Sequence, residues 1–142
     1  MKRVIIYLLI FIFIIFFSLI FDWGRNNDFN NITEKNTQIL IDFPKDNQKI
    51  TSPIKISGRA VGNWFFEGSF PIELVDLDKN IIATGIATST EDWMTENFIN
   101  FSSEIYFDKP TSTKNAILIL KKDNPSGNPE FDKSVFIPVI LK

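Results

Sequence analysis

Four carboxylates gather around two aromatic words of this sequence. Glu67 follows Trp64-Phe65-Phe66, and Glu91, Asp92 and Glu96 surround Trp93. Paired carboxylates can work as acid and base on a glycosidic bond when they flank a sugar cleft at a fixed separation. Composition leaves a Ser-Lys nucleophile pair open, though no motif points to one, and the chain has no histidine and no cysteine. Imidazole bases, thiolate nucleophiles, disulfides and metals held by His or Cys are therefore excluded. Asp76-Leu77-Asp78-Lys79-Asn80 opens like a calcium loop, but such a loop needs glycine at its sixth position and glutamate at its twelfth. Those positions are Ile81 and Ala87, and the Asp and Asn residues read instead as a hairpin turn. Asp123-Asn124-Pro125-Ser126-Gly127-Asn128-Pro129 lacks the Gly-Lys-Ser/Thr ending of a phosphate loop. Its prolines and glycine make it a rigid turn.

The aromatics carry a different chemistry. Trp64, Phe65 and Phe66 cannot all point inward from an extended segment, because successive side chains alternate between faces. One of them must face outward, sit in a bulge or lie under a loop. Trp64, Phe66, Glu67, Trp93 and Glu96 are accordingly the candidate binding surface. In the bland account the same rings are core and loop packing, with Trp93 pinning the crossover that contains it.

Composition narrows the class of partner. The chain has 142 residues, 44% of them hydrophobic, with a formal net charge of -2. Setting aside Lys2 and Arg3 leaves thirteen basic against seventeen acidic residues, or -4. A mildly acidic body argues against nucleic acid, which needs a basic face.

The apolar residues are unevenly spread. Val4 to Phe21 carries no charge over eighteen residues, and Trp23 stands just beyond it. As a helix the run would span about 27 Å, close to the hydrocarbon core of a bilayer. Lys2 and Arg3 place the N-terminus in the cytoplasm by the positive-inside rule. Ser18-Leu19-Ile20-Phe21-Asp22 offers no pair of small residues for signal cleavage. The expectation is an uncleaved, single-pass signal anchor in the cell membrane. Residues 1–3 would be cytoplasmic, 4–21 transmembrane, 22–37 a flexible tether and 38–142 an extracytoplasmic domain.

From Gln38 the apolar period is two. Ile39, Ile41 and Phe43 form one face, then Ile54 and Ile56, then Phe70, Ile72 and Leu74. After the turn at Asp78-Lys79-Asn80, Ile81 to Ala87 reads as a hairpin partner. Phe101, Ser103, Ile105 and Phe107 give another face, and Ala116 to Leu120 is apolar on both faces, as in a central strand. Val135 to Leu141 closes the chain with Pro138 inside it, which points to an edge or bulged strand. Glu91 to Phe98 has room for one short turn of helix. Seven strands with a turn signal every ten to fifteen residues predict an all-β, immunoglobulin-like β-sandwich, preceded by one N-terminal transmembrane helix. Ile56, Ile72, Leu74, Ile105, Leu118 and Ile137 are its predicted core. A sandwich with short loops has little room for a sugar cleft, so the expectation is no enzyme, no cofactor and no metal.

Several words occur in one order: Gly58-x-Ala60-x-Gly62-x-Trp64-Phe65-Phe66-Glu67-x-Ser69-Phe70-Pro71, Asp92-Trp93-Met94-Thr95, Lys122-Asp123-Asn124-Pro125-Ser126-Gly127 and Ile137-Pro138-Val139. Together they resemble the immunoglobulin-like domain of bacterial spore germination, also called the GerM-associated domain, over about residues 38 to 142. Val61 stands where that family often has a charge, and Gly68 where it often has alanine. The resemblance implies an extracytoplasmic bacterial module without catalytic residues. Two functions are then expected to compete. One is an interaction module of the cell envelope that binds another envelope protein. The other is a module that binds cell-wall carbohydrate or peptidoglycan through exposed rings.

Overall fold

The computed structural model describes residues 38–111 and 114–142. The expected membrane span at residues 4–21 and the tether at 22–37 lie outside them. Among the described residues no helix is long and apolar enough to cross a membrane.

Eight strands follow one another: β1 (Ile39–Phe43), β2 (Gln48–Ile50), β3 (Ile54–Val61), β4 (Ser69–Asp76), β5 (Ile81–Thr88), β6 (Phe98–Ile105), β7 (Lys114–Lys121) and β8 (Ser134–Leu141). Their lateral order is β1-β3-β6-β5-β4-β7-β8-β2. All neighbours are antiparallel except β2 and β8. The domain is all-β and immunoglobulin-like. The order folds back on itself between β6 and β5, where a single pair, Thr88 with Ser102, joins the two layers.

Period-two alternation explains why these segments are strands. In β3 the sequence IKISGRAV buries every second residue, and β7 does the same from Ala116 to Leu120. The buried faces of β3 and β6 meet those of β4, β7 and β8 in one apolar core. All six predicted core residues, Ile56, Ile72, Leu74, Ile105, Leu118 and Ile137, lie in it. Phe70 is its aromatic hub. Its ring meets Trp64, Phe65 and Phe101 edge-on at centroid distances of 5.8, 5.1 and 5.0 Å, the arrangement that the ring quadrupole favours.

The structure corrects three details. First, there are eight strands, because β2 is only three residues long and shows no alternation to read. Second, Glu91 to Phe98 forms no helix, and β6 already starts at Phe98. Third, Pro138 lies neither in an edge strand nor at a bulge. β8 runs between β7 and β2, and its register with β7 is unbroken from Ser134 to Leu141. The Pro138 carbonyl accepts from Asn47 N–H at 2.7 Å, so its main chain faces away from β7. The missing donor therefore costs no β7 bond, and β2 pairs only from Val139 onward.

Candidate functional site

The first three of the four motif words lie apart in sequence and meet at one end of the domain. β3 and β5 finish there, β4 and β6 start there, and β7 hands over to β8 there. The chain also enters the domain at this end, where Val61 N–H bonds Gln38 C=O at 2.9 Å.

The first word makes a tight reversal. Gly62–Trp64 is a 3₁₀ turn closed by Phe65 N–H on Gly62 C=O at 3.1 Å. Phe66 and Ser69 then exchange main-chain bonds of 2.9 and 3.1 Å around Glu67 and Gly68. Both central residues have positive φ, 52° and 74°, which is the signature of a type I′ turn. Trp64 and Phe65 are buried in the core, whereas Phe66 is 43% exposed and Glu67 sits beside it at the tip.

The second word is pressed against the first. A Cβ on Gly62 would collide with the carbonyl oxygens of Trp93 and Thr95, so the crossover lies directly on that glycine. The Trp93 ring covers Gly68, where a Cβ would stand 3.3 Å from Cδ1. Ser89 N–H bonds Gly68 C=O at 3.0 Å. Asp92 and Thr95 hold their own turn, accepting from Met94 N–H at 3.1 Å and Asn97 N–H at 3.2 Å. Glu91 accepts from the main chain and side chain of Asn100 at 3.1 and 2.7 Å. Trp93 itself is half-buried and Glu96 is exposed.

The third word is a self-bonded loop. Asn124 Nδ2 donates to Asn128 C=O at 2.8 Å and to Asp132 at 2.7 Å, and Ser126 Oγ donates to Asn124 at 2.6 Å. Asp123 N–H reaches Trp64 C=O at 3.1 Å and locks this loop to the first.

Of the expected surface residues, the structure brings Phe66, Glu67, Trp93 and Glu96 to this end in at least partial exposure. Trp64 is not on the surface: it is fully buried, and its indole N–H meets no acceptor among the described residues. Sequence reasoning missed Met94, Phe98 and Phe131, which are 76%, 40% and 52% exposed at the same end. Met94 stood inside a motif word without a face assigned to it, and Phe98 and Phe131 flank turns whose positions the sequence does not give. Charge is also polarised. The three loops carry Glu67, Glu91, Asp92, Glu96, Asp123, Glu130 and Asp132 against Lys122 and Lys133, a local balance of -5.

The opposite end has a simpler chemistry. The Asp76 carboxylate accepts from Asp78 N–H, Asn80 N–H and Asn80 Nδ2 at 2.9, 2.8 and 2.9 Å. Bonds from Asn80, side chain first, hold its pKa below the ordinary value of 3.8. This is the hairpin turn that the Asp and Asn residues lead one to expect. Among the described residues no three carboxylates come together to hold a metal.

No match is found among curated proteins or among solved structures. Residues 38–128 match the immunoglobulin-like domain of bacterial spore germination, a span that contains all three interlocked words. The chain belongs to that family.

Proposed function

We propose that residues 38–142 form a non-enzymatic interaction module at the outer face of a bacterial membrane. Residues 4–21 anchor it, and another envelope protein docks on the loop end. The observation that carries this reading is the convergence of the three motif words on one end. That end is stiffened by loop-to-loop bonds and presents Phe66, Glu67, Met94 and Glu96 to solvent. Exposed apolar side chains within a polar rim are the usual make-up of a docking patch. The local charge of -5 favours a partner with a basic face. Membership in an immunoglobulin-like family supports binding over catalysis.

A photo-crosslinking residue at Phe66 of the full-length chain, activated in intact membranes, tests the reading. One discrete adduct with a second protein is expected, and none from the same probe at Leu77 of the opposite end. Absence of an adduct at Phe66 sinks it. The anchor is tested separately, by protease added to wall-stripped cells: digestion of the domain is expected, and its protection overturns the orientation.

The carbohydrate reading keeps one support, the half-buried Trp93, whose ring lies against Gly68 in the turn that begins at the exposed Phe66. It has lost Trp64 as a stacking ring. Sedimentation with purified peptidoglycan, wild type against Phe66→Ala, measures what remains of it.

A further inference from the structure

The strand order closes through one point, since β5 and β6 share only the pair Thr88–Ser102. The bond from Ser89 N–H to Gly68 C=O fixes which pairs along the β4–β5 ladder exchange hydrogen bonds. By that alternation the main chains of Ala87, Gly85 and Ala83 face β4. Those of Thr88, Ile86 and Thr84 face the seam toward β6. The same count, begun from Val61 N–H on Gln38 C=O and carried across β3, turns Asn100, Ser102 and Glu104 toward β5. Glu91 closes off Asn100 N–H above the bridge. Below it, Ile86 and Glu104 are the next facing pair, and no ladder joins them.

A cleft of about 600 Å³ opens at that place, lined by Lys55, Ile86, Thr88, Ser103 and Glu104 among others. Ser103 Oγ is buried and has no hydrogen-bond partner among the described residues.

The remaining edges of the domain are protected and this one is not. β1 has Lys45 Nζ bonded to Ile41 C=O at 2.8 Å, and β2 is only three residues long. β5 is eight residues, IIATGIAT, without a charge or a proline. A long, uncharged edge of this kind is a template for another strand.

We propose that this seam accepts an extended, uncharged peptide segment of a partner protein, which pairs its main chain with β5 at Ile86 and Thr84. The seam-facing donors and acceptors recur every second residue, about 6.6–6.8 Å apart in strand geometry. That is the repeat of another extended polypeptide. No aromatic ring lines the cleft, so a sugar has nothing to stack on. β5 contributes no charge, and Lys55 and Glu104 on the facing wall bear one of each sign. The walls therefore carry no net charge that would favour a charged segment. Ile86 is 61% exposed at the seam, and an added strand of this kind is held chiefly by main-chain bonds. The inference rests on the reading of the domain as an interaction module and names a second surface for it.

The probe is a library of random linear twelve-residue peptides displayed on phage and selected against the full-length chain in detergent. The enriched sequence is then titrated as a synthetic fluorescent peptide. Ile86→Pro removes a seam-facing donor without removing a β4 bond, whereas Ile86→Thr keeps the donor. Binding to Ile86→Thr within twofold of wild type is expected, with at least tenfold weaker binding to Ile86→Pro. Amide exchange in the wild-type chain should slow at Thr84, Ile86 and Glu104 when peptide is added. That measurement decides alone if Ile86→Pro does not fold. Failure to enrich any peptide, equal binding to Ile86→Pro, or protection confined to the loops around Phe66 and Trp93 overturns the seam. The last of these leaves the interaction module standing, and a failed crosslink at Phe66 leaves the seam test intact.

Discussion

Two glycines set how the loop end is built. At Gly62 a methyl group would meet main-chain oxygens of Trp93 and Thr95, which cannot swing aside like the tip of a side chain. Gly62→Ala is expected to cost about 3 kcal/mol, the upper part of the overpacking range, read from denaturant melts. Trp93→Ala tests the same contact from the other side. Its ring is half-buried on Gly68, so a loss of about 1–3 kcal/mol is expected, below the range for a fully buried aromatic. Phe66→Ala should stay within about 0.5 kcal/mol, as at exposed positions. An unchanged midpoint for Trp93→Ala would show that the crossover does not depend on it. Asp76 gives a pH test. Its folded pKa is lowered by Asn80, so the stability it contributes is present above the unfolded value of 3.8 and is lost as pH falls through the folded one. Asn80→Ala should raise the Asp76 pKa toward 3.8 in a carboxyl NMR titration, and an unmoved value would refute the assigned cause.

At the scale of the element, β7 and β8 show how far a face can be read. Leu118 is fully buried between the layers, and Leu118→Ala should cost about 2–5 kcal/mol by denaturant melt. Its neighbour Ile117 points the other way and is only half-buried, so truncating it should cost markedly less. Pro138 was legible as a break in the ladder, but where the break falls depends on the partner strand. The alternation of β7 with β8 sends its nitrogen away from β7, and β2 begins one residue later. Lys45 performs a related task on β1 by bonding the Ile41 carbonyl at the open edge. Nothing in the local sequence announces that contact, since it depends on the turn that brings Lys45 back.

For the whole molecule, the described strands share one core, and Asn36–Lys142 is a compact unit. A chain beginning at Asn36 should therefore unfold in a single cooperative transition, with the denaturant midpoint of the full-length chain. Two resolved transitions, or a midpoint well below that of the full chain, would overturn this. The domain is also electrically uneven. Its three motif loops carry -5, whereas the remaining charged side chains from 38 to 142 number seven acidic and nine basic, or +2. Association through the loop end should accordingly weaken as salt rises.

The sequence by itself determined the class of the fold and most of its core. Alternation at period two is a local property, and burying one face of each strand follows from it without knowledge of the partner. The family words and the Asp76 turn were legible for the same reason, because each is a run of neighbouring residues. Tertiary structure alone decided which rings are exposed. Trp64, Phe65 and Phe66 are equally apolar; the first two are buried at the end of the 3₁₀ turn, and the third, at the start of the type I′ turn around Glu67-Gly68, faces out. It also decided that Met94, Phe98 and Phe131 share an end, since that depends on where strands finish. The seam between β5 and β6 belongs wholly to this level. Its hydrogen-bonding groups are main chain, which every sequence possesses, and only the splaying of two strands leaves them without a ladder.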